Sequence, residues 1–208
     1  MPDTLLSPSD DGFELVVLAA SAGGLMALSE VLTGLPSDFS AALAIVQHVD
    51  PRHRSLMADI LSRRTSLRVK QAEEGDRLAR GTVFIAPPNR HLLVNRDRTL
   101  SLSQSDMVHF VRPSADLLFE SAAASYGRRV IAVVLTGTGR DGAMGITAVK
   151  KMGGTVLVQE AKTAEFSGMP EAAIATGNVD FVLPLANMAK ALVKLVMKDE
   201  APAVCLSE

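Results

Sequence analysis

The stretch Leu15-Val16-Val17-Leu18-Ala19-Ala20 is an apolar run that stops at Ser21-Ala22-Gly23-Gly24, and a helical pattern begins directly after it. Leu25, Leu28, Val31, Leu32 and Leu35 recur at the spacing of one helix face, and Gly34 with Pro36 marks the end. Strand, sharp turn, helix is the unit from which sheets covered by helices are built, and the rest of the chain repeats it. Ala41–Gln47 is a second apolar run ending at His48, followed by a helical stretch from about Arg54 to Arg64. Val130–Leu135 is continuous and β-branched, as a strand buried on both faces should be, and leads through Thr136–Gly142 into a helix reaching about Met152. Thr155–Gln159 and Phe181–Leu183 read as strands, Ser114–Ser125 and Leu185–Met197 as helices, and 163–177 as short helical turns. Between Leu67 and Leu102, short β-type runs are separated by glycines, Pro87-Pro88-Asn89 and Asn95-Arg96-Asp97, which predicts antiparallel hairpins at one edge.

The expected fold is therefore α/β: a doubly wound, largely parallel sheet flanked by helices, with an antiparallel hairpin excursion around 67–102. Residues 13–197 are expected to form one domain, after a polar lead over 1–12 and before a polar tail over 198–208. Of the 208 residues, 48% are hydrophobic and 21% charged, enough apolar material for one core. A net charge of −2 with interspersed signs suggests neither a nucleic-acid partner nor a membrane surface. The lone Cys205 excludes a disulfide framework. With no signal-peptide pattern and no bilayer-length apolar run, a cytoplasmic protein is expected, not inserted in a membrane.

In an open parallel sheet, ligands bind beyond the carboxyl ends of the strands. Three residues with catalytic side chains stand at such ends: Ser21, His48 and Asp141. A serine hydroxyl needs a base, an imidazole is a suitable one near neutral pH, and a carboxylate fixes the imidazole tautomer. Ala19-x-Ser21-x-Gly23 also follows the outline of a nucleophile elbow, with alanine in the first glycine position. Each residue has a plainer alternative. Ser21 and Asp141 can be helix N-caps, and His48 can simply close a strand on a nearby carbonyl.

Gly137-Thr138-Gly139-Arg140-Asp141-Gly142 also fits G-x-G-x-x-G between strand and helix, with Glu160 about 20 residues on as a ribose-binding acid. A dinucleotide site thus stands beside the hydrolase, although Asp141 would set a carboxylate where pyrophosphate must bind. A binding module without catalysis remains the third possibility. His53, His91 and His109 have no metal-ligand spacing, and no cofactor is expected. Arg52 and Arg54 lie close to the presumed cleft.

Taken in order, Ala19–Gly24, Val46-Gln47-His48, Ile85-Ala86-Pro87, Arg112-Pro113-Ser114-Ala115-Asp116-Leu117-Leu118-Phe119, Leu135–Ala143 and Gly168-Met169-Pro170 resemble the catalytic domain of the CheB-type chemotaxis receptor methylesterases. The resemblance covers about residues 14 to 195. It implies hydrolysis of glutamyl methyl esters on the cytoplasmic helices of chemoreceptors, with methanol released, and in many members deamidation of receptor glutamines. It also implies a Ser-His-Asp triad at Ser21, His48 and Asp141, and assigns the glycine-rich turn to the triad carboxylate. We expect oxyanion donors from the Ala22 N–H and the facing turn, with Gly23, Thr138 and Gly139 beside the reacting atoms. Three departures are visible: Ala22 where the family usually has threonine, Thr138 where it usually has methionine, and only 12 residues where many members carry a receiver domain. The expected partner is a methylated chemoreceptor, with control left to a separate regulatory protein.

Overall fold

The computed structural model describes residues 12–48 and 55–197. The expectations for the lead and the tail, and for Arg52, His53 and Arg54, lie outside these residues. Seven strands form one parallel sheet in the order β3-β4-β2-β1-β7-β8-β9. In chain order these are β1 (Leu15–Ala20), β2 (Ala42–Gln47), β3 (Arg68–Gln71), β4 (Thr82–Ile85), β7 (Val130–Val134), β8 (Thr155–Gln159) and β9 (Phe181–Leu183). Between them, β5 (His91–Val94) and β6 (Leu100–Ser103) pair antiparallel as a separate two-stranded sheet. The antiparallel part of the 67–102 excursion is thus narrower than expected: β3 and β4 run parallel inside the main sheet.

The helices are α1 (Gly24–Thr33), α2 (Met57–Ser62), α3 (Ala115–Tyr126), α4 (Ala143–Lys151), α5 (Gly168–Ala175) and α6 (Leu185–Val196). Alternation along β1 assigns its side chains to two cores. Leu15, Val17 and Ala19 face a layer with α3, α4 and α5, whereas Val16, Leu18 and Ala20 face α1, α2 and α6. Burial on both faces explains why β1 and β7 are unbroken apolar runs: no position along them faces water. No helix among the described residues is long and apolar enough to cross a membrane.

The chain first moves outward from β1 to β2 and the edge strand β3, fills the place between them with β4, then returns to β7 on the other side of β1 and continues to β9. The winding direction reverses between β1 and β7, so a crevice opens beyond their carboxyl ends. Ser21 follows β1, His48 follows β2 and Asp141 lies in the turn after β7.

Candidate active site

The turn after β1 is closed by its own backbone. The Gly24 N–H donates to Ser21 O at 2.9 Å, and the Ser21 N–H donates across to Thr136 O at 3.0 Å. Gly23 sits at φ 75°, a left-handed conformation that glycine adopts without steric cost. It also holds the N-cap position of α1 with no side-chain cap bond, so Ser21 is not the cap of that helix. The facing turn comes very near: a Cβ on Gly137 would lie 2.8 Å from Ser21 Cβ and collide with Met169 Sδ.

β1 and β2 are in parallel register through Ala20 and Gln47, so Ser21 and His48 are the next residues on neighbouring strands. The His48 N–H donates to Ala20 O at 3.1 Å. The buried Gln47 amide ties the two strand ends together, donating to Ser21 O at 2.7 Å and to His48 O at 2.9 Å. No hydrogen bond among the described residues joins the Ser21 hydroxyl to the His48 ring. That ring binds Asp141 Oδ2 through Nε2 at 2.8 Å, which leaves Nδ1 for another partner.

Asp141 is only 4% exposed, and it caps a helix, though not the one that follows it. α4 begins behind Gly142, at φ 95°. The Asp141 carboxylate instead reaches the N-terminus of α3. Oδ2 accepts from the Ala115 N–H at 2.6 Å, and Oδ1 from the Asp116 N–H at 3.1 Å and the Ser114 hydroxyl at 2.9 Å. Burial pushes the carboxyl up, but the bond and charge of His48 and the N–H groups of Ala115 and Asp116 outweigh it, holding Asp141 below the ordinary carboxylate value. An anion at a helix N-terminus is the favourable placement, and here it keeps the partner of His48 ionised.

Asp116 behaves oppositely. Burial, joined by the negative charge of Asp141, raises its carboxyl above the ordinary value despite the bond from the Gly145 N–H at 2.7 Å. Its Oδ2 has no hydrogen-bond partner and lies 3.5 Å from His109 Nε2. Ser114 and His91 are fully buried, which excludes both from meeting a substrate. His91 accepts the Ser114 N–H at Nδ1 and donates through Nε2 to Asp106 O, both at 3.1 Å, and so holds β5 against the start of α3.

A cleft of about 270 Å³ opens over these groups, lined by His48, His109, Phe110, Val111, Thr138, Gly139, Arg140 and Asp141. The Gly137 N–H is engaged by Phe166 O at 2.9 Å. The N–H groups of Ala22, Thr138 and Gly139 donate to no acceptor among the described residues, so donors remain on both turns. The Thr138 side chain is exposed and forms no hydrogen bond there. A dinucleotide at this turn would set its pyrophosphate against the buried Asp141 carboxylate, and the geometry speaks against it.

Sequence reasoning missed Gln47 as a clamp, Asp116 as a buried neighbouring charge and the 108–111 segment as a wall of the cleft. For Asp116 a signal existed, since Pro113-Ser114-Ala115-Asp116 is a helix start with an acid inside it.

Comparisons with known proteins bear on the family and the fold. The family model described as CheB methylesterase matches residues 16–192. A relative from Leptospira interrogans is 40% identical over 183 residues, covering 88% of this chain and 95% of that protein. A Pyrococcus horikoshii relative, named protein-glutamate methylesterase/protein-glutamine glutaminase, is 39% identical over 194 residues, covering 92% of this chain but 53% of that protein. The chain thus spans about half the length of the Pyrococcus relative. The crystal structure of the Thermotoga maritima CheB methylesterase catalytic domain superposes with a TM-score of 0.85 at 36% identity, covering 88% of this chain and 99% of that one.

Proposed function

This chain belongs to the CheB methylesterase family, and we propose that it hydrolyses glutamyl methyl esters on the cytoplasmic helices of chemoreceptors through a triad of Ser21, His48 and Asp141. The observation that carries the triad is the 2.8 Å contact of His48 Nε2 with the buried Asp141 carboxylate, one strand away from Ser21. Ser21 Oγ attacks the ester carbonyl, and its proton passes to His48 Nδ1. The same proton then goes to the departing methoxide, which leaves as methanol, and the glutamyl group stays esterified to Ser21. Water attacks that ester with His48 again as base, and the glutamate carboxylate departs as the Ser21 hydroxyl is restored. Asp141 stabilises the imidazolium in both steps and stays ionised throughout. The oxyanion is held by the Ala22 N–H and by an N–H of Thr138 or Gly139, groups that donate to no acceptor among the described residues. With a glutamine side chain in place of the ester, the same steps release ammonia, which fits the double name of the Pyrococcus relative.

The test is methanol release from a methylated receptor. Ser21→Ala and His48→Ala are each expected to remove nearly all activity, and the double variant to lose little more, because the residues act as a unit. Substantial methanol release by Ser21→Ala would overturn the assignment.

A further inference from the structure

Between β6 and α3 the chain passes over the cleft as a two-residue hairpin loop. Val108 and Val111 exchange backbone hydrogen bonds of 3.2 and 2.9 Å, which leaves His109 and Phe110 as the tip. Both sit at positive φ, 49° and 65°. That pair of conformations matches the twist of the flanking strands and normally selects Asn-Gly. A bulky side chain there is a backbone outlier, and the Phe110 ring is also 95% exposed. The tip residue is thus unfavourable twice over, in its backbone and in its solvation.

The hairpin that carries the ring also contacts the body of the domain. His109 Nε2 comes within 3.5 Å of Asp116 Oδ2, which sets the hairpin against the start of α3 beside Asp141. Phe110 itself lines the cleft that leads to His48. Other exposed apolar side chains gather at the same end of the sheet: Met26 in the first turn of α1, Met144 in the first turn of α4, and Phe166, whose carbonyl binds Gly137. The cleft, at about 270 Å³, has room for one side chain, so the polypeptide carrying that side chain must lie across this rim.

We propose that Phe110 is a substrate-docking residue that seats an apolar side chain of the polypeptide next to the esterified glutamate; this rests on the methylesterase reading. It selects esters carried on protein over small esters, and does so through binding.

Phe110→Gly suits the left-handed backbone, so its Tm is expected to equal or exceed that of wild type. Its kcat/KM on methylated receptor, divided by its kcat/KM on p-nitrophenyl acetate, is expected to fall about tenfold or more, mostly through KM, on the scale of losing one buried aromatic anchor. Phe110→Leu should recover part of the ratio. A parallel loss on both substrates, or an unchanged ratio, would overturn the docking role. An unchanged ratio with weakened sedimentation on phosphatidylglycerol vesicles would overturn it in favour of a lipid surface. Wild-type protein that hydrolyses the small ester but releases no methanol from methylated receptor would overturn the methylesterase reading itself, and the docking role with it.

Discussion

Replacing Asp141 with asparagine should damage stability and rate together, because one carboxylate serves a helix and an imidazole at once. Its Oδ1 receives the Ser114 hydroxyl and the Asp116 N–H, while Oδ2 receives His48 Nε2 and the Ala115 N–H. An amide has one oxygen, so two of these donors must face an NH2 group whichever way it turns. The least costly orientation puts nitrogen at the Oδ1 position, where the Ser114 hydroxyl can rotate to accept. The Asp116 N–H cannot, and a buried orphaned donor costs about 1–3 kcal/mol. Loss of the anion from the α3 N-terminus adds about 0.3–1 kcal/mol, up to about 2 in buried geometry. The expected destabilisation is about 2–4 kcal/mol, read by urea unfolding at pH 7. Since the folded value of Asp141 lies below the ordinary one, its contribution is complete above about pH 4 and is lost as pH falls through the folded value. The stability gap between wild type and Asp141→Asn should therefore narrow in acid. In the same variant, methanol release should fall about 10³–10⁴-fold, because the imidazolium loses its counter-charge. A variant within about 0.5 kcal/mol of wild type in stability and within about tenfold in kcat would refute the double role.

Two further outcomes follow from the neighbours of that carboxylate. Asp116→Asn keeps an oxygen for the Gly145 N–H and removes a buried charge beside another, so the variant should be more stable than wild type at pH 7. The sign is set by a raised folded value: what Asp116 contributes is present in acid and lost as pH rises through that value, so the two proteins should converge in urea titrations below about pH 4. Gln47→Leu leaves the His48 carbonyl without its donor and weakens the tie to Ser21, at a cost of about 1–3 kcal/mol. Its kcat should fall roughly tenfold or more as the two strand ends lose their mutual position, and an unchanged kcat would deny the clamp.

The three strand-end residues were legible because two periodicities, that of buried strands and that of helix faces, fix where each strand stops. Ser21, His48 and Asp141 could be set at one edge of one sheet with no knowledge of distances. β3 and β4 misled in orientation for a physical reason. Parallel neighbours usually need a helical crossover, and the chain from Ala72 to Gly81 makes the connection without a helix. The capping of α3 by Asp141 had no local signal at all. A cap is recognised by its spacing to the helix it starts, and this one arrives from 26 residues further along the chain. His109 and Phe110 were equally hidden, since Asn-Gly is the pattern that announces such a turn and neither residue is present.

The place of β1 between β2 and β7 has a consequence during synthesis. Its first partner follows within a few dozen residues, but its second begins after Arg129, which stands 115 residues from Glu14 at the head of β1. A ribosome adds about 5–20 residues per second, so one side of this wholly apolar strand stays unpaired in the nascent chain for roughly ten seconds. Throughout that interval the strand is a bare template for pairing with another chain. Yield in the cell should therefore depend on translation speed and on chaperones that shield residues 15–20, more than on the equilibrium stability of the finished protein.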